Sequence, residues 1–410
     1  MTDDGFDLPL TDRQHDLLTL ARRLGQDQFA PRAATFDAEN RFPVENFADL
    51  RDHGFLALTI PADHGGGGAD YATYALVGAE LGRHCGSTAL AYNMHAVSML
   101  WSGPIADDLP MTDAQRVDHE RRRAGIYNLV LNDRALFAQP FSEPNHEAAA
   151  GRAPFGTTAK RVDGGWEVSG RKHFASLSGH ATHYGILCTE EIDVGEPSMK
   201  NTTYLAVPAH AEGFEVAGEW NVLGMRATMS RNLILDKVFV PEDLQVMPSG
   251  VYYEAASDWP HMFMTLSPTF LGIAEGAFDF TVSYLRGEVE GAPKATRSSA
   301  TKQLAVAELR IEVELARALF MRAISEAGYQ PTRAARMRAL ACHRTLTKTA
   351  VSVTAEALRI CGGRALFKNF PIERMYRDSR AGAVMLPWTA DICIERVGRM
   401  SLYEPGERDS

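Results

Sequence analysis

The chain has 410 residues, 45% of them hydrophobic and 23% charged, enough to build a sizeable buried core. A net charge of −10 argues against non-specific nucleic-acid binding, and no apolar run approaches the roughly eighteen residues of a membrane span. The five scattered cysteines contain no CxxC, and MTDDGFDLPL lacks the basic and apolar regions of a signal peptide, so reduced thiols and a cytoplasmic location are expected.

Along the chain, Thr11 and Gln14 have the spacing of a capping box. They open a helix to Phe29 whose apolar face is Leu17, Leu18, Ala21 and Leu24. PVENFADLRDHG predicts a short helix stopping at Gly54, and LTIPADHGGGGAD a loop. The four glycines of that loop have no strand-then-helix setting and no GxSxG follows, so neither a phosphate cradle nor an oxyanion loop is supported. Tyr71 to Trp101 predicts two helices broken near Gly86-Ser87. From Ala135 the pattern changes to short β-rich runs divided by Gly, Asp and Asn turns, with a hairpin signal at Asp163-Gly164. No helices intervene and no GxGxxG follows a strand, which argues against a parallel nucleotide-binding sheet. Helical periodicity returns over Met262–Arg286 and then over roughly 297–327, 331–361 and 382–404, the makings of a four-helix bundle.

The stretch ALRICGGRALFKNFPIERMYRDSRAGAVMLPWTAD, from Ala357 to Asp391, breaks a helix at Gly362-Gly363 and resumes with a dense charge set. It resembles the end of the acyl-CoA dehydrogenase family, ALQIxGGxGY…YPxERxxRDxRxxxIYEGT. Earlier stretches agree with the same family. ALFAQPFSEP resembles its C-x-T-E-P strand, GRKHFASLSGHATHY its GxKxWITNGxxAxxY, and NVLGMRATMSRNLILDKVFVP its KMGxRxSxxxxLxFxxVxVP. The resemblance implies an α+β fold in three parts: an N-terminal helical domain at 1–130, a middle β-barrel-like domain at 131–248 and a C-terminal four-helix bundle at 249–410. It also implies an FAD cofactor and a homodimer or homotetramer. Gln139, Phe141 and Ser142 would face the flavin, with Phe174 covering it and Ser176 bonded to it. Arg359, Gly362 and Gly363 would serve the dinucleotide, and Trp388 would lie beside the flavin where the family has Thr. Donors placed there stabilise the charge that a reduced flavin acquires.

Several family positions are changed. The catalytic Glu of YEGT falls on Leu386, and the alternative position on the first bundle helix falls on Met262. Ala148 stands for a family Ser, and GEVEGAPKATR replaces the cofactor-reaching RxxFG. Arg226 matches the family Arg of its motif, equally readable as a surface residue. Asp391 and His95 are candidate substitute bases, each with a bland alternative as a helix-surface Asp and a core His; His261 is equally open. The resemblance implies an FAD-dependent oxidoreductase acting on the CH–CH unit of an acyl thioester. The altered base leaves two alternatives, a flavin-dependent monooxygenase or N-hydroxylase of the same superfamily, or a binder of FAD or acyl ligands without turnover.

Overall fold

A computed structural model describes residues 10–293 and 296–407. The acidic N-terminus read for a signal, apart from Leu10, lies outside the described residues, as do two positions of GEVEGAPKATR.

The first part is helical: α1 (Asp12–Leu24), α2 (Ala30–Glu39), α3 (Val44–Asp52), α4 (Tyr71–His84), α5 (Gly86–Leu100) and α6 (Asp113–Leu131). The Thr11/Gln14 capping box is formed. α2 runs through Pro31, which sits in its first turn, where a missing N–H costs no helical hydrogen bond. The sequence pattern had ended the first helix at Phe29. Between α4 and α5 the chain turns at Cys85, whose backbone is extended. α5 is buried along its whole length, so its polar side chains, Asn93 and His95 among them, must find their partners inside the protein.

Residues 137–247 form one eight-stranded sheet: β1 (Phe137–Ala138), β2 (Thr158–Val162), β3 (Gly165–Ala175), β4 (His183–Glu190), β5 (Thr202–Pro208), β6 (Phe214–Ala217), β7 (Arg231–Pro241) and β8 (Gln245–Met247), with the four-residue helix α7 (His146–Ala149) after β1. The order is β6-β7-β3-β2-β4-β5-β8, with β1 beside β4. Asp163-Gly164 closes the β2–β3 hairpin, Gly164 taking a left-handed φ of 74°. Most pairings are antiparallel; β1 and β2 each run parallel to β4.

The third part contains α8 (Val251–Asp258), α9 (Ser267–Arg286), α10 (Ala300–Ser325), α11 (Arg333–Cys361), α12 (Pro371–Asp378) and α13 (Ala390–Leu402). Two expectations are corrected here. Met262 lies in the 3-10 turn Pro260–Met264 before α9 rather than on a helix. The last helix starts at Ala390, not near 382, because Thr389 is its N-cap and Pro387 bars the preceding residue from helical backbone. α9 packs on both α4 and α11, so the bundle and the first helical part share one core. All five cysteines are buried and free. Among the described residues no helix is long and apolar enough to cross a membrane.

Candidate active site

A cavity of about 350 Å³ opens where the three parts meet. α5 and the turn that continues it supply one wall, Leu90, Asn93, Met94, Val97 and Trp101, residues three and four apart on one face. The chain after β1 brings Gln139, Phe141 and Ser142; the end of β3 brings Phe174 and Ser176; the loop between β6 and β7 brings Trp220, Leu223 and Met225. Met262, Phe263, Thr265 and Leu266 close one side, and Arg377, Arg380 and residues 384–387 the other.

Each wall is held by a specific device. Glu143, next to Ser142, is buried with Lys172, Nζ to Oε1 2.6 Å. It also accepts from the backbone N–H of Gly156 at 2.6 Å and Thr157 at 3.1 Å. Burial pushes this carboxyl up, but the Lys172 ammonium and these donors outweigh it and hold it below its ordinary value. At the end of β3 the pairing with β7 shifts register between Lys172 and Ala175, and Phe174 adopts φ 55°. That bulge turns the Phe174 ring outward, 63% exposed, edge-on to Trp220 at 6.3 Å. The loop carrying Trp220 is tied at several points. Arg226 Nε donates to the Asp37 carbonyl at 2.8 Å, Arg377 donates to the Leu223 carbonyl at 3.1 Å, and Met225 N–H donates to Asp378 at 2.5 Å. Arg226 thus has a structural task at the loop.

The hydroxyls of Ser176 and Ser230 lie 2.8 Å apart, with Thr228 2.7 Å from Ser230, and all three line the cavity. No Asp, Glu or His is among the described lining residues. Arg377 is committed to Asp37 and Glu373, and the Arg380 guanidinium lies 4.0 Å over the Tyr376 ring.

The residues singled out in the sequence divide cleanly. Gln139, Phe141, Ser142, Phe174 and Ser176 meet in this cavity, and so do Leu386 and Met262, the two positions where a Glu would stand. Trp388 is buried one layer behind, against Phe263 and His343. Arg359 is exposed and paired with Glu356 on its own helix, and Gly362 and Gly363 end α11 outside the lining. Neither substitute base is presented to the cavity. Asp391 is exposed in the first turn of α13. His95 is fully buried, its Nε2 2.8 Å from the Leu56 carbonyl while its Nδ1 accepts from Phe137 N–H at 3.0 Å. With both nitrogens engaged and burial pushing its pKa down to about 4, His95 fastens β1 to α5. His261 is buried beside Trp259 and Tyr71, also outside the lining. Sequence reasoning missed Asn93, whose importance depends on a tyrosine brought to it by tertiary packing.

Helices, a sheet and a closing helical bundle around one interdomain cavity define an acyl-CoA dehydrogenase-type fold, and sequence comparison agrees. The N-terminal, middle and C-terminal domain families of acyl-CoA dehydrogenase match residues 11–107, 138–238 and 264–385. YdbM of Bacillus subtilis strain 168, described as an acyl-CoA dehydrogenase, is 30% identical over 370 residues, spanning 87% of this chain and 89% of its own. The mitochondrial short-chain specific acyl-CoA dehydrogenase of Bos taurus is 27% identical over 363 residues, 88% of this chain and 83% of its own. The chain therefore belongs to the acyl-CoA dehydrogenase superfamily. Among solved structures, butyryl-CoA dehydrogenase from Megasphaera elsdenii superimposes with a TM-score of 0.80 at 22% identity, covering 97% of this chain and 100% of that one. A nitrososynthase from Micromonospora carbonacea var. africana gives 0.80 at 24%, covering 98% and 99%. The fold matches both equally and does not choose between their chemistries.

Proposed function

We propose that the protein is a flavin-dependent oxidoreductase that works without a carboxylate base, as a monooxygenase or N-hydroxylase of this superfamily. The observation that carries this reading is the lining itself: both places where a Glu would stand hold Leu386 and Met262, and no described lining residue is Asp, Glu or His. Removing an α-proton from an acyl thioester needs a base within hydrogen-bond reach, its pKa tuned by the site.

The residues present fit a flavin ring. Phe174 and Trp220 offer aromatic surface at the cavity edge, and the Ser176, Ser230 and Thr228 hydroxyls form a cluster of donors and acceptors beside it. A bound flavin would supply two-electron transfer and, once reduced, reaction with oxygen. Ser142 and Ser176 would hydrogen-bond its polar edge, Phe174 would cover one face, and the apolar walls would exclude water. FAD is the cofactor proposed. Arg359, Gly362 and Gly363, on the outer end of α11, would reach the adenine half of an FAD held by a second copy in a homodimer or homotetramer.

Dehydrogenation of an acyl thioester is the second reading, favoured by relatives of that name that align over nearly nine-tenths of this chain. Anaerobic mixing of the purified yellow protein with saturated acyl-CoAs separates the two. The proposal expects no flavin bleaching with any of them, and oxygen consumption only when reduced flavin is supplied. Bleaching by an acyl-CoA would overturn it in favour of dehydrogenation. Cofactor released by heat and separated chromatographically distinguishes FAD from FMN.

A further inference from the structure

Two buried carboxamides line this mostly apolar cavity, and each is gripped by a tyrosine. Tyr74 donates its hydroxyl hydrogen to Asn93 Oδ1, and Tyr204 donates to Gln139 Oε1. Asn93 is 3% exposed and Gln139 2%, and both tyrosines are buried. Burial holds both phenols well above their ordinary value, so they keep the protons they donate. The amide oxygens are thereby taken. Among the described residues Gln139 Nε2 is buried without a hydrogen-bond partner.

The Gln139 pair has room made for it. A Cβ on Gly185 of β4 would fall 2.3 Å from Gln139 Oε1 and 2.7 Å from the Tyr204 hydroxyl. Any side chain there would displace the pair. A buried donor without an acceptor costs roughly 1–3 kcal/mol, so an occupant with an acceptor oxygen would complete the Gln139 amide.

We infer that Asn93 and Gln139 are substrate-orienting donors, and that the substrate is an uncharged molecule with an apolar body and a carbonyl or similar oxygen acceptor. Its body would pack on Leu90, Met94, Val97, Met262 and Leu266, and its oxygen would take the amide N–H groups. A site built to hydrogen-bond an oxygen discriminates against an isostere that lacks it, because the buried donors would then stay unpaired. The inference rests on the oxidoreductase reading only in taking this cavity as the substrate site.

The test is binding rather than turnover. Acetophenone and its isostere α-methylstyrene are titrated into the purified protein, with its native flavin content, and followed by calorimetry. The readout is the ratio of the two Kd values, which cancels the difference in their hydrophobicity when wild type and variant are compared. The ratio of Kd for α-methylstyrene to Kd for acetophenone is expected to fall at least about tenfold in the Asn93→Leu/Gln139→Met double variant. Should that variant not fold, Gln139→Met alone, which keeps the chain length of the side chain, is expected to show a smaller fall in the same direction. An unchanged ratio, or no binding of either probe to the wild type, overturns the inference. A colourless protein that still discriminates supports this inference while removing the flavin reading; a flavoprotein that consumes oxygen but does not discriminate does the reverse.

Discussion

The cavity shares the molecule with a much larger groove. That groove, about 1270 Å³, lies between α1, α4, α9 and α10 and is walled by Arg22, Glu80, Arg83, Glu275, Asp279 and Arg317. In the groove the charges answer one another: Arg22 with Glu80 at 3.1 Å, Arg83 with Asp279, and Arg317 with Glu275 at 2.6 Å. In the smaller cavity almost nothing is charged, and the polar groups that line it are incompletely matched. The comparison teaches that a functional site is marked by unfinished hydrogen bonding inside an apolar enclosure, rather than by volume or by the number of charges. The groove forms much of its charge pairing within the chain, while the cavity keeps a buried Gln139 amide donor unmatched.

The sharpest way to break this contrast is to unpair the charge buried behind the cavity's wall. Lys172→Met would leave the Glu143 carboxylate buried with two backbone donors and no cation. Stripping one partner from a buried ion pair costs roughly 3–5 kcal/mol. Urea denaturation should show a loss of that size, together with weaker flavin retention as the segment bearing Phe141 and Ser142 loosens. A loss under about 1 kcal/mol would mean that the wall is held otherwise.

The groove can be tested through pH. Burial pushes the Glu80 carboxyl up, yet hydrogen bonds from His84 and Arg22 with the charge of Arg83 bring it down to about 2. A carboxylate depressed in the folded state adds stability above its unfolded value near 4.5, and that stability drains away as pH falls towards 2. The maximum contribution is roughly 3 kcal/mol. Glu80→Gln should cost about that at pH 7 and flatten stability between pH 4.5 and 2; an unchanged acid profile would show that the groove network contributes little.

The smallest expected effect is in the cavity. Ser176→Ala removes one hydroxyl from the cluster with Ser230 and should weaken flavin retention about tenfold or shift the flavin absorption. Identical retention and spectrum would take Ser176 out of the site.

Much of the fold was legible because local chemistry set it. Thr11 and Gln14 capped a helix as their spacing demanded, Asp163-Gly164 turned a hairpin, and period-3.6 apolar runs became α9, α10 and α11. Two misplacements had signals that were available. Pro31 is tolerated in the first turn of α2, and Pro387 with Thr389 delays the last helix. The convergence of Gln139, Phe141, Ser142, Phe174 and Ser176 was anticipated by motif, while the separation of Asp391 and His95 from the cavity depended on which way each helix faces.

The sequence by itself determined the order of helices, sheet and bundle and the absence of a carboxylate at residue 386, since these are properties of local pattern and residue identity. It could not show that Tyr74 would seize the oxygen of Asn93 nineteen residues away, or that Tyr204 would do the same to Gln139 across sixty-five. Hydrogen-bond satisfaction is a property of neighbours, and only the packing of α4, α5 and the sheet decided which polar atoms were paired and which were left over.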